Sequence, residues 1–311
     1  MVKCAICGKE FQTDKQLHAH LKAHKLRVAE YYQQEFPRYD KFDKSIIKFK
    51  NKEQYLSSDF NSRITLKKWL KEAPEEETKK YCSELLSKRK EKKDLVYSPT
   101  QVELRSILSP PVHYYNELFG SYYELCESLG YQNRFHNPLK ITYGGIYNDS
   151  SYSVYIDTRE KKPLKFKNFQ TEVKTLKFGD YALSSKEHTC NCYIERKAIG
   201  DFIGTLSGGY DRFTREIERA AEAEAQLIVL VEESFSNCMG FNYLPHVYKK
   251  TKVTPDYIFH NVRKLIQTYP HIQFLFVKNR AEASETIEKI FTCGCAYKKI
   301  DLQLAYDTKI L

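Results

Sequence analysis

Three carboxylates and a lysine in the second half of the chain have the types and order that phosphodiester chemistry needs: Asp157, Asp180 and Glu195, with Lys197 two residues past the last. Hydrolysis near neutral pH needs one or two hard cations to polarise the phosphoryl oxygen, and such cations take carboxylate oxygens in octahedral geometry. In an extended strand Glu195 and Lys197 point to one face. The ammonium then lies beside the cation, where it orients attacking water and offsets developing negative charge. Arg159 or Arg196 has the planar fork to clamp a phosphate. Singly, these fragments are common, since Gly-Asp and Glu-Arg-Lys occur in many chains without any chemistry.

A second constellation opens the chain. Cys4-Ala-Ile-Cys7 is followed by Phe11, Leu17, His20 and His24, with twelve residues between Cys7 and His20. That is the two-Cys, two-His zinc finger spacing. A hairpin knuckle presents two thiolates, histidines at i and i+4 share a helix face, and Phe11 with Leu17 fill the small core. Zinc is therefore expected on Cys4, Cys7, His20 and His24. The base-reading helix positions fall on Thr13, Gln16 and Ala19; Gln16 is the good hydrogen-bonding reader, with adenine its natural partner, and Lys15 is assigned to DNA contact beside it. One finger covers about 3 base pairs, so protein contact or a structural cap competes with base reading. Cys190-Asn-Cys192, with His188 close by, and Cys293-Gly-Cys295 stand either as a second zinc site or as half-buried free thiols, C-x-C being a poorer knuckle than C-x-x-C.

The elements that must position the carboxylates are legible from the residue pattern. From residue 153 onward, short β-rich runs alternate with helices, which argues for an α/β domain. Strands are expected at Ser153 to Asp157, Gly179 to Leu183, Cys192 to Lys197, Leu227 to Val231 and Ile272 to Val277. Helices are expected around 199 to 206, 211 to 225, after Thr254-Pro255, and at 281 to 292. Acids thus sit at the ends of three neighbouring strands.

Residues 26 to 140 carry no catalytic motif but many helix signals. Acids after Pro74 open a helix and the basic run 88 to 93 closes it, as the helix dipole prefers, with Tyr81, Cys82, Leu85 and Leu86 as its buried stripe. Ser98-Pro99, Ser109-Pro110 and Ser121 read as three further caps, with capping boxes at the first and third, proline at N1 in the first two, and Gly120 and Gly130 as stops. The run Tyr114 to Tyr131, with its Phe119-Gly120-Ser121 turn and Leu129-Gly130 end, resembles the small helical repeat that accompanies many homing endonucleases, which implies a DNA-binding element. An ordinary helical linker domain is the competing reading. Gly144-Gly145 marks the expected boundary, giving a finger at 1–27, a helical module at 28–140, a linker at 141–152 and a catalytic domain at 153–311.

In order, Asp157-x-Arg159-Glu160, Gly179-Asp180 and Glu195-Arg196-Lys197-x-x-x-Asp201 resemble the signature of the XPF-type nuclease domain, a branch of the PD-(D/E)xK superfamily. The resemblance runs from about 153 to 292 and includes Arg212-Phe213-x-x-Glu216. It implies metal ligation by Asp157, Asp180 and Glu195, a catalytic Lys197, support from Arg159, Glu160, Arg196 and Asp201, and a phosphate contact at Arg212. It also implies magnesium or manganese, and a restriction-endonuclease-like fold with a mixed central sheet behind a ββα finger and an all-α module. Members usually carry paired helix-hairpin-helix motifs after the nuclease domain for dimerisation and junction binding. With groove-reading modules in front instead, the expectation is site-directed cleavage of duplex DNA, of the kind phages and mobile elements use. A homodimer is a further expectation. The alternatives are a structure-specific nuclease for flaps, forks or junctions, and a silent DNA-binding regulator.

Composition is consistent with this and excludes other classes. The 311 residues are 41% hydrophobic and 29% charged, which supports packed cores and excludes wholesale disorder. No run approaches 18 apolar residues and no secretory signal opens the chain, so an intracellular protein of cytoplasm or nucleoid is expected. The formal net charge of +10 suits a polyanion. Nine cysteines, an odd number spread over the whole length, argue against a disulfide framework.

Overall fold

The computed structural model describes residues 2–39, 46, 48–49, 63–136, 146, 149, 151–244, 247 and 252–311. Gly144-Gly145 lies outside them. The chain divides into two compact units, residues 1–81 with 108–110, and residues 82–107 with 111–311.

In the first unit, β1 (Val2–Lys3) and β2 (Glu10–Phe11) pair antiparallel ahead of α1 (Asp14–His20). Thr13 caps α1, and the Gln16 side chain returns to the cap backbone in a capping box. Cys4, Leu17 and Leu21 form the finger core together with Tyr31 from α2 (Val28–Glu35), all four buried. The Tyr31 hydroxyl accepts from Ala5 N at 2.9 Å, so this small core continues past residue 27. Further along, Leu66 and Trp69 are buried on α3 (Arg63–Glu72), with the Trp69 ring edge-on to Tyr81 at 5.4 Å.

The helix α4 (Glu75–Lys93) has three acids in its first turn and bases in its last. The caps that follow differ in detail from expectation. Thr100, not Ser98, caps α5 (Gln101–Arg105) in a box with Glu103, because Pro99 lies outside the helix. Pro111 holds the cap position of α6 (Val112–Phe119), so Ser109 has no capping role there. Ser121 does cap α7 (Tyr122–Ser128), accepting from Glu124 N. Gly120 and Gly130 adopt φ of +82° and +79°, the left-handed backbone that ends helices at low steric cost.

A six-stranded mixed sheet organises the rest: β3 (Ser153–Asp157), β4 (Gln170–Lys174), β5 (Tyr181–Leu183), β6 (Cys192–Lys197), β7 (Gln226–Val231) and β8 (Ile272–Phe276), in spatial order β4-β3-β5-β6-β7-β8. The β5 strand runs antiparallel to both neighbours, and the β3–β4, β6–β7 and β7–β8 pairs are parallel. Alternation sorts the side chains. Val154, Ile156, Tyr181, Leu183, Cys192 and Ile194 enter one core with α12 (Arg280–Thr292) and α13 (Leu302–Asp307). Ala182, Tyr193, Val229 and Phe274 enter the other, with α8 (Ile199–Thr205), α9 (Tyr210–Glu222), α10 (Phe235–Met239) and α11 (Pro255–Thr268). Helices on both faces of a largely buried sheet make a three-layer α/β domain.

The α5 helix belongs to this unit through buried polar contacts. Asp301 accepts from Gln101 N at 2.6 Å, Asp307 pairs with Arg105 at 2.7 Å, and Glu103 accepts from Gln267 at 3.1 Å. A disulfide joins Cys190 to Cys295, contrary to the expectation of free thiols or a second zinc site. Left-handed backbone at Cys190 and Asn191 turns the β5–β6 connection towards the segment after α12, bringing the two Cα atoms to 5.3 Å. Cys192 and Cys293 remain buried thiols.

Candidate active site and metal centre

The central strands of the sheet bring the carboxylates together. The β3 strand ends at Asp157, β5 begins just after Asp180, and Glu195 is the fourth residue of β6. Counting by twos from Ala182 and Tyr193, Asp157, Asp180, Glu195 and Lys197 all fall on the α8–α9 face, opposite Tyr181 and Ile194. Gly179 allows the turn before Asp180. Its φ is +60°, and a Cβ there would lie 2.7 Å from the Ile194 carbonyl oxygen.

Each carboxylate is held by a specific partner. The Arg159 backbone N and Nε donate to Asp157 Oδ1 at 2.9 and 2.6 Å, and Leu176 N donates to Oδ2 at 2.7 Å. Burial pushes this carboxyl up, but the Arg159 and Leu176 donors outweigh it and lower the pKa overall. Asp180 Oδ2 accepts from Arg196 N at 2.8 Å. Burial, reinforced by the neighbouring Glu195 charge, pushes Asp180 up to about 7. Glu195 pairs with Lys197 Nζ at 2.5 Å. Carboxylate oxygens are the donors that magnesium or manganese takes, and the mutual repulsion felt by Asp180 is one that a divalent cation would relieve.

Other expected residues are placed differently. Arg196 points to the opposite face, where its guanidinium is buried between Glu160 at 2.7 Å and Glu232 at 2.9 Å, so of the two arginines weighed as a phosphate clamp it is the one directed away from the carboxylates. One-residue alternation from Glu195 and Lys197 puts it there. Glu160 therefore acts as a brace, and it also accepts from Lys162 N at 2.7 Å. Arg159 keeps a 68% exposed side chain at the mouth of the site. Asp201 is exposed in the first turn of α8, where an acid suits the helix dipole, and Arg212 is exposed on α9.

Glu216, the last residue of the Arg212-Phe213-x-x-Glu216 run, carries no expected role from the sequence. It is a half-buried acid on α9 whose pKa is raised, first by burial and then by the Glu195 charge. Its place directly before the inward-facing Ile217 was the available signal. Glu232 gave none, because it reads as a polar stop after an apolar strand.

The second centre is the finger. Cys4, Cys7, His20 and His24 gather their ligand atoms within 4.8 Å of one another, the one such group among the described residues. Cys4 Sγ lies 3.6 Å from His24 Nε2, Cys7 Sγ 3.2 Å from His20 Nε2, and the two Nε2 atoms 3.0 Å apart. A tetrahedral zinc with bonds of about 2.0–2.3 Å brings its ligands to roughly these separations. Burial pushes the Cys4 thiol up, yet the Cys7 and Ile6 N–H groups bring it below its ordinary value overall. Thr13, Lys15, Gln16 and Ala19 are exposed. Gln16 Oε1, however, accepts from Gln12 N at 2.9 Å and Thr13 N at 3.3 Å, so the expected base reader is engaged in its own helix cap.

The ERCC4 domain family matches residues 156–290. Two solved structures of XPF from Aeropyrum pernix, one of them described as a complex with DNA, each match at 21% identity over 44% of this chain, with TM-scores of 0.33 and 0.34. The matched region is 62% and 64% of those chains, so the chain spans less than two thirds of them. No curated protein matches. Residues 156–290 are thus similar to the ERCC4 domain family, and the chain also carries a Cys/His cluster suited to zinc. Among the described residues, no helix is long and apolar enough to cross a membrane.

Proposed function

We propose that the chain is a metal-dependent DNA endonuclease that cuts branched DNA, such as flaps, forks or junctions, with the finger as an attachment device. The observation that carries this reading is the overlap of the ERCC4 match with the sheet face bearing Asp157, Asp180, Glu195 and Lys197. Engagement of Gln16 in the α1 cap favours attachment over base reading.

Magnesium or manganese, held by Asp157, Asp180 and Glu195, would supply Lewis acidity and charge neutralisation at the scissile phosphate. Lys197 orients the attacking water and offsets the negative charge on the phosphoryl oxygens in the transition state. Arg159 is exposed and anchored on Asp157, which places its free donors to meet a phosphate oxygen. Arg196, Glu160 and Glu232 hold the strand ends in register from the opposite face.

The test is magnesium-dependent cleavage on a panel of flaps, forks and four-way junctions beside a library of linear duplexes. Cutting at branch points regardless of sequence is expected. One recurring duplex site would move the chain to site-directed cleavage, and inactivity on all substrates would leave a DNA-binding regulator.

A further inference from the structure

Between Asp157 and Asp180 the chain carries seven cations, Arg159, Lys161, Lys162, Lys165, Lys167, Lys174 and Lys177, against two acids, Glu160 and Glu172. Glu160 is turned inward to Arg196, Glu172 pairs with Lys174 at 3.0 Å and Arg159 is tied to Asp157, so five lysines remain without an acidic counterpart in this segment. All six lysines are exposed. Ordinarily such a run is a solvated surface, but here the backbone beneath it is fixed. Leu164 and Phe169 are buried in the core while Lys165 and Lys167 between them are exposed. Tyr181 Oη accepts from Leu164 N at 3.0 Å. Glu288, itself 3% exposed, accepts from Lys167 N at 2.6 Å and Asn168 N at 2.8 Å. Arg280 donates to the carbonyls of Lys162 and Pro163.

The loop leads into β4, the outer strand of the sheet, whose five residues are all exposed and whose Lys174 stands opposite Asp157 in register. Lys177 follows Leu176, the N–H donor to Asp157. The strip therefore begins and ends beside the catalytic carboxylate. At roughly 3.3 Å per residue, β4 runs about as far as five phosphates of one strand spaced at roughly 3.4 Å, with Lys174 as its one basic side chain.

We propose that this lysine strip is the track for the phosphate backbone of the DNA strand entering the site. The proposal rests on the nuclease reading above. Its test is equilibrium binding of a labelled flap in EDTA over a salt series, using the full chain and a variant with Lys161→Gln, Lys162→Gln, Lys165→Gln and Lys167→Gln. A charge-matched control carries Lys186→Gln, Lys298→Gln, Lys299→Gln and Lys309→Gln. The strip variant should lose at least about tenfold in affinity, and its salt slope should shrink by about one unit per lysine, while the control changes by less than about one unit in total. Equal losses in both variants, or an unchanged strip variant beside a binding wild type, would refute the track and leave the nuclease reading intact. If the unaltered chain neither binds nor cuts DNA, both ideas fall.

Discussion

Lys197 holds Glu195 at 2.5 Å and lies over the Phe213 ring, so its ammonium is the cation already stationed among the carboxylates. Lys197→Ala is expected to lower single-turnover cleavage by about 100-fold or more, while flap binding in EDTA changes less than about threefold. Retained cleavage would remove the lysine from the chemistry. Gly179 makes a separate prediction: Gly179→Ala forces a Cβ against the Ile194 carbonyl in left-handed backbone and should cost about 1–3 kcal/mol of unfolding free energy, read from urea midpoints. Residue types at the ends of the expected strands made Asp157, Asp180 and Glu195 legible as candidates, and period-2 alternation, which needs no tertiary knowledge, put Lys197 on the face of Glu195. The same alternation, applied to Arg196, would have turned it away from substrate. Its ties to Glu160 and Glu232 depend on strand neighbours that no local pattern encodes.

At the scale of elements, the five apolar-rich strands and the longer helices were readable from the sequence. The β4 strand was not, since all five of its residues are exposed and it has no apolar face to set a period. The finger was readable from spacing alone, but the closure of its knuckle by Tyr31 of α2 was not, since a lone tyrosine past the last histidine carries no motif. His24→Ala or chelation should unfold the finger, because zinc binding supplies most of the folding free energy of such modules, and proteolysis should then begin within residues 2–35. Asp301 gives a pH prediction. It caps α13 and receives Gln101 N, and burial pushes it up to about 6. A carboxyl raised above its unfolded value, about 3.9, contributes fully below about pH 4 and loses that contribution as pH rises through 6. Relative to Asp301→Asn, the unfolding free energy of the native chain should fall by on the order of 2 kcal/mol between pH 4 and 7. A pH-independent difference would mean that the buried carboxyl does not titrate in that window.

At the scale of the molecule, the helices after residue 82 pack in the same compact unit as the catalytic sheet, and Gln101, Glu103 and Arg105 are tied to α11 and α13. A change in α5 should therefore register in the stability of the catalytic unit: Arg105→Ala removes the charged partner of a mostly buried Asp307, leaving it the amides of Gln101 and Gln303, and is expected to cost about 2 kcal/mol. The Cys190–Cys295 bond has a different reach. It closes a covalent ring that contains Glu195 and Lys197, while Asp157 at the end of β3 and Asp180 just ahead of β5 lie outside it. One peptide-bond cut anywhere between the two cysteines leaves both pieces on a single molecule. Such a nicked protein would run as an intact chain on a non-reducing gel and part into two fragments only when a thiol is added.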